Sequence, residues 1–249
     1  MTYKDMLAAA MNQSAIEMNC LADDFFSSEN MVTASKADLR ARKYYNQPFA
    51  CNFVSYGNNV VASANDELIA VIGDYVGSCE EWYRCFETPS VCELNDIIRP
   101  LGYSVKYMGE YFLPDHENIP DIQCSYETRR LVHDDFKELY LPQWSNALCD
   151  KRPQLDVMGV GAYDKGALIG MAACSADCEN MYQIGIDVLP EYRCRGVASA
   201  LTSQLAKDIL AAGKIPFYCA AWSNIRSVKN ALRCGFKPSW IELSVAKSD

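Results

Sequence analysis

The run Val188, Leu189, Pro190, Glu191, Tyr192, Arg193, Cys194, Arg195, Gly196, Val197, Ala198 holds the most chemically suggestive residues of the chain. A branched, apolar stretch over 181–188 reads as a strand leading into it, and the stripe Val197, Leu201, Leu205, Ile209 reads as a helix leading out to Gly213. A helix starting at Gly196 leaves its first backbone N–H groups without intrahelical partners, and its dipole adds positive potential there. Arg193 and Arg195 add two guanidinium groups. Gly196 and Ala198 have almost no side chain, so a phosphate can approach the backbone closely. The pattern is therefore an anion site; its plain alternative is a helix start with incidental arginines. It is neither nucleotide loop, because G-x-G-x-x-G is missing and no Lys-Ser or Lys-Thr follows the glycine.

Other residues could act beside it. Asn224 precedes a helical stretch and has Ser227 three residues on, the pattern of an N-cap. Arg226, Lys229 and Arg233 form a stripe that reads as a solvated face, with a phosphate contact as the alternative. On the strand before the anion site, Gln183, Gly185 and Asp187 share one face. Asp187 is thus the nearest carboxylate and a candidate base, or else a strand-end anchor; Glu179, Asp177 and His133 are alternatives. Tyr218 and Tyr182 could give up a proton but read as packed strand residues. Trp144, Trp222 and Trp240 are candidates to line a cleft, with packing in the core as the plain alternative. Cys194 and Cys219 lie in the same stretches, yet no histidine follows locally to activate either as a nucleophile.

The elements that must position these residues fall into two parts. Residues 113–121, with Pro114 and Pro120 and no periodicity, read as a linker, giving domains 1–120 and 121–249. The first reads as a smaller α+β domain with no assigned role: strands at 51–56, 60–64 and 103–112, helices at 68–77 and 89–98, and a helical stretch at 36–45 with a solvated basic face. The second reads as a strand at 127–132 and helical segments at 134–148 broken at Pro142. A hairpin follows at 155–174, turning on Asp164, Lys165 and Gly166, and then strand, helix, strand, helix, strand from 181 to 245. That order implies an α+β fold with a mixed central sheet flanked by helices.

Composition sets the outer limits. The chain has 249 residues, half of them apolar or aromatic, and a net charge of -9, so nucleic acid and anionic membranes are poor partners. Twelve cysteines stand against two histidines, with no C-x-x-C pair. No zinc spacing is present and no metal is expected; the thiols read as reduced and mostly buried. Residues 1–20 lack the basic start and unbroken apolar stretch of a signal peptide, and no run is long enough to span a membrane, which points to the cytoplasm.

The hexapeptide Arg193, Cys194, Arg195, Gly196, Val197, Ala198 resembles the pyrophosphate-binding pattern of the GNAT superfamily of acyl-CoA N-acyltransferases. Ile186 to Tyr192 is similar to that superfamily's fourth strand and loop, and Asn224 to Phe236 to its later helix. The resemblance covers roughly residues 125–246, about half the chain; the whole chain also resembles the branch tied to resistance to the aminopolyol antibiotic zwittermicin A. What it implies is transfer of an acetyl group from acetyl-CoA to a primary amine by direct attack, without a covalent enzyme intermediate. Strands 181–188 and 215–222 would splay, with the pantetheine arm between them. Val188 would supply a backbone oxyanion donor, and Leu189, Arg193 to Ala198, Asn224 and Ser227 would hold the cofactor. Two departures stand out: Gln183 occupies the place of a frequent glutamate base, and Ala231 that of a frequent tyrosine acid. They keep a catalytically silent CoA-binding module open as an alternative, beside a protein N-acetyltransferase. The small-molecule amine acceptor has no further identity from sequence, and both monomer and homodimer stay open.

Overall fold

A computed structural model describes residues 1–248. The chain forms two compact units interleaved in sequence: one of Met1–Met6 with Phe112–Pro238, the other of Leu7–Tyr111 with the residues from Ser239 onward.

In the second of these, strands β1 (Met31–Ala34), β2 (Cys51–Ser55) and β3 (Val61–Ala64) form a small mixed sheet. β1 runs parallel to β3, and β2 antiparallel to it. β10 (Phe236–Lys247) adds antiparallel to β2, Ile241 to Val245 facing Ser55 to Cys51. Helices α2 (Ile69–Ser78) and α3 (Thr88–Ile98) bury Leu68, Ile72, Val76, Leu94 and Ile98 against Phe53, Ala62 and Leu243. Helix α1 (Tyr3–Met18) and β1 were not expected from the sequence; α1 carries apolar residues around its circumference rather than along a stripe.

Two expectations for this unit fail. The stretch 36–45 is a series of turns, not a helix with a solvated face. Asp38 takes the N–H of Arg40 and its guanidinium, capturing the local backbone as short polar side chains do. Arg42 turns inward and is 1% exposed, its guanidinium meeting Glu17 at 2.5 Å and Glu242 at 3.2 Å. Tyr45, Trp240 and Tyr111 surround it at 5.1, 5.7 and 5.8 Å from their ring centres. Nor are all twelve thiols reduced: Cys79 and Cys85 are joined as a disulfide, while the other ten cysteines form none.

The other unit holds the anion motif. β5 (Glu127–Val132), β6 (Asp156–Asp164), β7 (Ala167–Ser175) and β8 (Met181–Val188) are antiparallel in chain order. β9 (Ile215–Ala221) then adds parallel to β8, which makes the sheet mixed. The β6–β7 turn uses Lys165 at φ 51° and Gly166 at φ 85°, the left-handed pair that a two-residue hairpin needs. Helices α4 (Val197–Ala211) and α5 (Ile225–Arg233) cover one face, burying Val197, Leu201, Leu205, Ile209 and Ala231 on Val160, Ala172 and Ile184. The opposite face is covered differently from expectation. Residues 134–148 make only single 3-10 turns, at His133–Phe136 and Pro142–Trp144. The Asp135 carboxylate caps the first turn by accepting the Val132 N–H, but Pro142 lacks a donor and interrupts the stretch, and Phe136, Trp144 and Leu148 still pack on Met171 and Ala173.

Candidate functional site

The site begins where two parallel strands part. The β8–β9 ladder runs from Met181 opposite Ile215 to Ile184 opposite Tyr218 and ends there, although β8 continues to Val188 and β9 to Ala221. Beyond the strand, the Leu189 N–H donates to Ile169 O on the β7 side at 2.9 Å. Because successive backbone groups alternate in direction, the N–H groups of Val188 and Ile186 face the gap. At the apex Gln183 Nε2 reaches Cys219 Sγ at 2.9 Å, linking the strands.

At the mouth of the gap the chain makes a short turn at Pro190–Tyr192 and passes through Cys194 at φ 61° and Gly196 at φ 81° before α4 begins. Gly196 has a left-handed backbone and open space where a Cβ would stand. No side chain caps α4 there; the first intrahelical bond is Ala200 N–H to Gly196 O, leaving the N–H groups of Val197, Ala198 and Ser199 outside the helical ladder. Both arginines are exposed but aimed: Arg193 Nε donates to Val188 O at 2.9 Å, and Arg195 Nη1 to the Tyr126 hydroxyl at 2.9 Å, with its guanidinium over the Tyr192 ring. Val197 points the other way, into the core against Gly170. The anion motif, Val188 and Leu189 therefore lie around one mouth.

Asn224 caps α5, its side chain accepting from Ser227 N–H at 3.3 Å, and Ser227 Oγ lies 2.8 Å from the Tyr218 hydroxyl. Ala231, beneath, is fully buried. Arg226, Lys229 and Arg233 are exposed, as a solvated face should be. Trp222 is 53% exposed beside Asn224, whereas Trp144 and Trp240 are buried, so of the three tryptophans only Trp222 is open to a ligand.

The carboxylates separate clearly. Asp187 Oδ2 accepts from the N–H groups of Asn146 and Ala147 at 2.8 and 2.9 Å, and Oδ1 from Asn146 Nδ2 at 2.7 Å. Gly185 lets the same loop press on the strand: a Cβ there would stand 1.9 Å from Asn146 O. The three donors take three of the roughly four acceptor positions of the carboxylate, so Asp187 is anchored to the Asn146 loop with one position on Oδ1 left over. Glu179 and Asp177 precede β8 and so lie a strand length, roughly 23 Å, from Val188. Asp177 is buried 3.4 Å from Arg152, and His133 Nδ1 contacts Asp156 O, 2.8 Å away. Burial, with the Asp177 charge adding to it, pushes Asp156 up to about 6 despite bonds from Cys149 N–H and Tyr140. Among the described residues no group of three or more His, Cys, Asp or Glu could hold a metal, and no helix is long and apolar enough to cross a membrane.

Sequence reasoning missed Tyr126, Asn146 and the Tyr218–Ser227 contact. The only signal for Asn146 was Gly185, a glycine inside a strand, which marks a close backbone approach.

A family model for GNAT acetyltransferases matches residues 52–240. Three solved structures are similar. A GCN5-related N-acetyltransferase-like protein from Streptococcus suis is 19% identical, over 61% of this chain and 67% of that one, with a TM-score of 0.47. A GCN5-related N-acetyltransferase from Kribbella flavida is 14% identical over 63% and 64%, TM-score 0.47. An acetyltransferase of the GNAT family from Colwellia psychrerythraea is 14% identical over 58% and 57%, TM-score 0.45. No curated protein sequence matches.

Proposed function

The chain belongs to the GNAT acetyltransferase family, and from that membership we propose that it moves an acetyl group from acetyl-CoA to a primary amine of a small molecule by direct attack, without a covalent enzyme intermediate. The carrying observation is the parting of β8 and β9 beside the uncapped start of α4. Arg193, Arg195 and the N–H groups of Val197 and Ala198 would hold the pyrophosphate, with Cys194 and Gly196 shaping the turn around it. Leu189 closes the strand end, and Asn224 and Ser227 would meet the pantetheine arm.

In this reading the Val188 N–H polarises the thioester carbonyl, and the fixed strand supplies it without reorganisation. Most of the rate comes from holding amine and thioester together, so no strong base is required. Asp187 acts as the anchor of the Asn146 loop, and the ammonium proton leaves to water. In Asp187→Asn, an anchor predicts a lower kcat with the acidic limb of the pH profile in place; a base predicts that limb lost. The chain's negative charge favours a cationic acceptor, and the resemblance to the zwittermicin A resistance branch supports an aminopolyol or polyamine. A cytoplasmic site of action fits a reaction that consumes acetyl-CoA.

Gln183 and Ala231 favour one other reading, a module that binds CoA without turnover. Thiol release with an amine panel separates the two, since a silent module binds acetyl-CoA and liberates none. The site itself is tested by Arg195→Ala combined with Gly196→Asp, which should abolish acetyl-CoA binding in calorimetry; an unchanged affinity would sink the assignment.

A further inference from the structure

Charge is divided unevenly along the chain. No aspartate or glutamate occurs between Asp208 and Glu242, and no lysine or arginine between Lys4 and Lys36. Each of these stretches carries an exposed apolar patch. On α5 the residues facing solvent are Ile225, Lys229 and Leu232, one turn apart, with Arg226 and Arg233 beside them, while Asn230, Ala231 and Cys234 face the core. Ile225 and Leu232 are 55% and 49% exposed, and the open Trp222 stands just before the helix. The three cations extend over about 10 Å of helix, and among the described residues none of them pairs with a carboxylate. The other patch lies at residues 21–29. Asp24 Oδ2 accepts the Leu21 N–H at 2.7 Å, Asn59 Nδ2 donates to the backbone oxygens of Asp24 and Glu29 at 2.9 and 2.8 Å, and Phe25 is buried, packed edge-to-face with Tyr56. These bonds fix the turn so that Leu21 and Phe26, 71% and 64% exposed, stay outside beside the exposed Asp23 and Glu29. An apolar surface rimmed by charge marks a site of protein contact, and the two patches have opposite signs.

We propose that the α5 face of one copy docks on the 21–29 segment of a second copy. Arg226, Lys229 and Arg233 meet Asp23 and Glu29, and Ile225 and Leu232 cover Leu21 and Phe26. A net charge of -9 by itself keeps copies apart, so attraction between them has to come from local complementarity of this kind. The contact is head-to-tail, since each copy offers two different surfaces rather than one that matches itself. Every copy that joins still presents an unused patch, and assembly continues with concentration unless a ring closes. The inference is independent of the chemistry at the β8–β9 gap.

The test is the mass of the full chain by sedimentation velocity and light scattering. The wild type should rise above its chain mass of 27.9 kDa as concentration increases. That rise should be clear in about 0.05 M salt and much reduced in about 0.5 M, where the charges are screened. Arg226→Glu with Arg233→Glu, and separately Asp23→Lys with Glu29→Lys, should each weaken association at least about 100-fold, because like charges then face each other. Mixed in equal amounts the two variants should associate again, since the first retains the acidic patch and the second the basic face; that recovery also shows both to be folded. Phe26→Ser should weaken association about tenfold with every charge in place. A wild type that stays at its chain mass overturns the proposal and leaves the α5 face to an acidic partner other than this chain. Assembly that survives either reversal, or no recovery on mixing, overturns it too. So does an unchanged mass with weaker acetyl-CoA binding in the α5 variant, which would make the stripe a phosphate contact.

Discussion

Arginine has opposite fates in the two units. Arg42 is sealed in: its backbone N–H and Nε go to Glu17 Oε1 at 2.9 and 2.8 Å, Nη2 to Glu17 Oε2, and Nη1 to the Tyr44 hydroxyl at 2.8 Å. Trp240 Nε1 and the Tyr45 hydroxyl complete the shell by donating to Glu242. Arg193 and Arg195 spend one bond each on their own surroundings and present the rest of the guanidinium to solvent. The same group is structural where its donors are consumed and available to a ligand where they are not. Burial makes the difference: a charge removed from water must be matched inside the protein, whereas an exposed one can wait for an anion.

That contrast can be broken hardest at Arg42. Arg42→Met leaves Glu17 and Glu242 buried without their cation and should cost about 3–5 kcal/mol in denaturant unfolding. Adding Glu17→Leu and Glu242→Leu should recover much of the loss, because an apolar trio of similar volume needs no matching charge; no recovery would show that the aromatic shell, not the ion pairs, carries the stability.

Asp156 sharpens the comparison from within the unit that holds the motif, as a buried charge with the opposite sign. Its pKa of about 6 lies above its ordinary value of 3.8, so between those values the folded protein binds more proton than the unfolded chain. Stability therefore falls as pH rises from about 4 to about 6, by up to about 3 kcal/mol from this group. Asp156→Asn keeps an oxygen for Cys149 N–H and should flatten that fall in melting curves; an unchanged slope would place the proton elsewhere.

The smallest effect on folding belongs to the exposed pair. Arg195→Ala alone should move stability by less than about 0.5 kcal/mol while weakening acetyl-CoA binding about tenfold. A large loss of stability without a loss of affinity would reverse the roles given to the two arginine sites.

What the sequence disclosed follows the distance between partners. Arg193 through Ala198 lie consecutively at a strand–helix junction, and Asn224 caps a helix with Ser227 three residues on, so local rules suffice. Asp187 was visible as a carboxylate on the right face, but its donors at Asn146 and Ala147 are 41 and 40 residues away, so its anchoring contact was not. Arg42 read as solvated because basic residues at helical spacing usually are; nothing nearby announces that Glu17, 25 residues back, and Glu242, near the end of the chain, will take it in. The 134–148 stretch misled in the reverse sense, with buried Phe136, Trp144 and Leu148 suggesting helix where tertiary packing holds irregular backbone.

The passage of β10 into the unit of Leu7–Tyr111 has a consequence for the order of events at the ribosome. That unit is made first but receives Trp240 and Glu242 last, and until they emerge β2 has an open edge and Arg42 has one carboxylate. Nascent domains ordinarily close in the order they are synthesised. Here the later-made Phe112–Pro238 segment can assemble its sheet while the earlier one still waits for β10, so synthesis of β10 is the step that lets the N-terminal half mature.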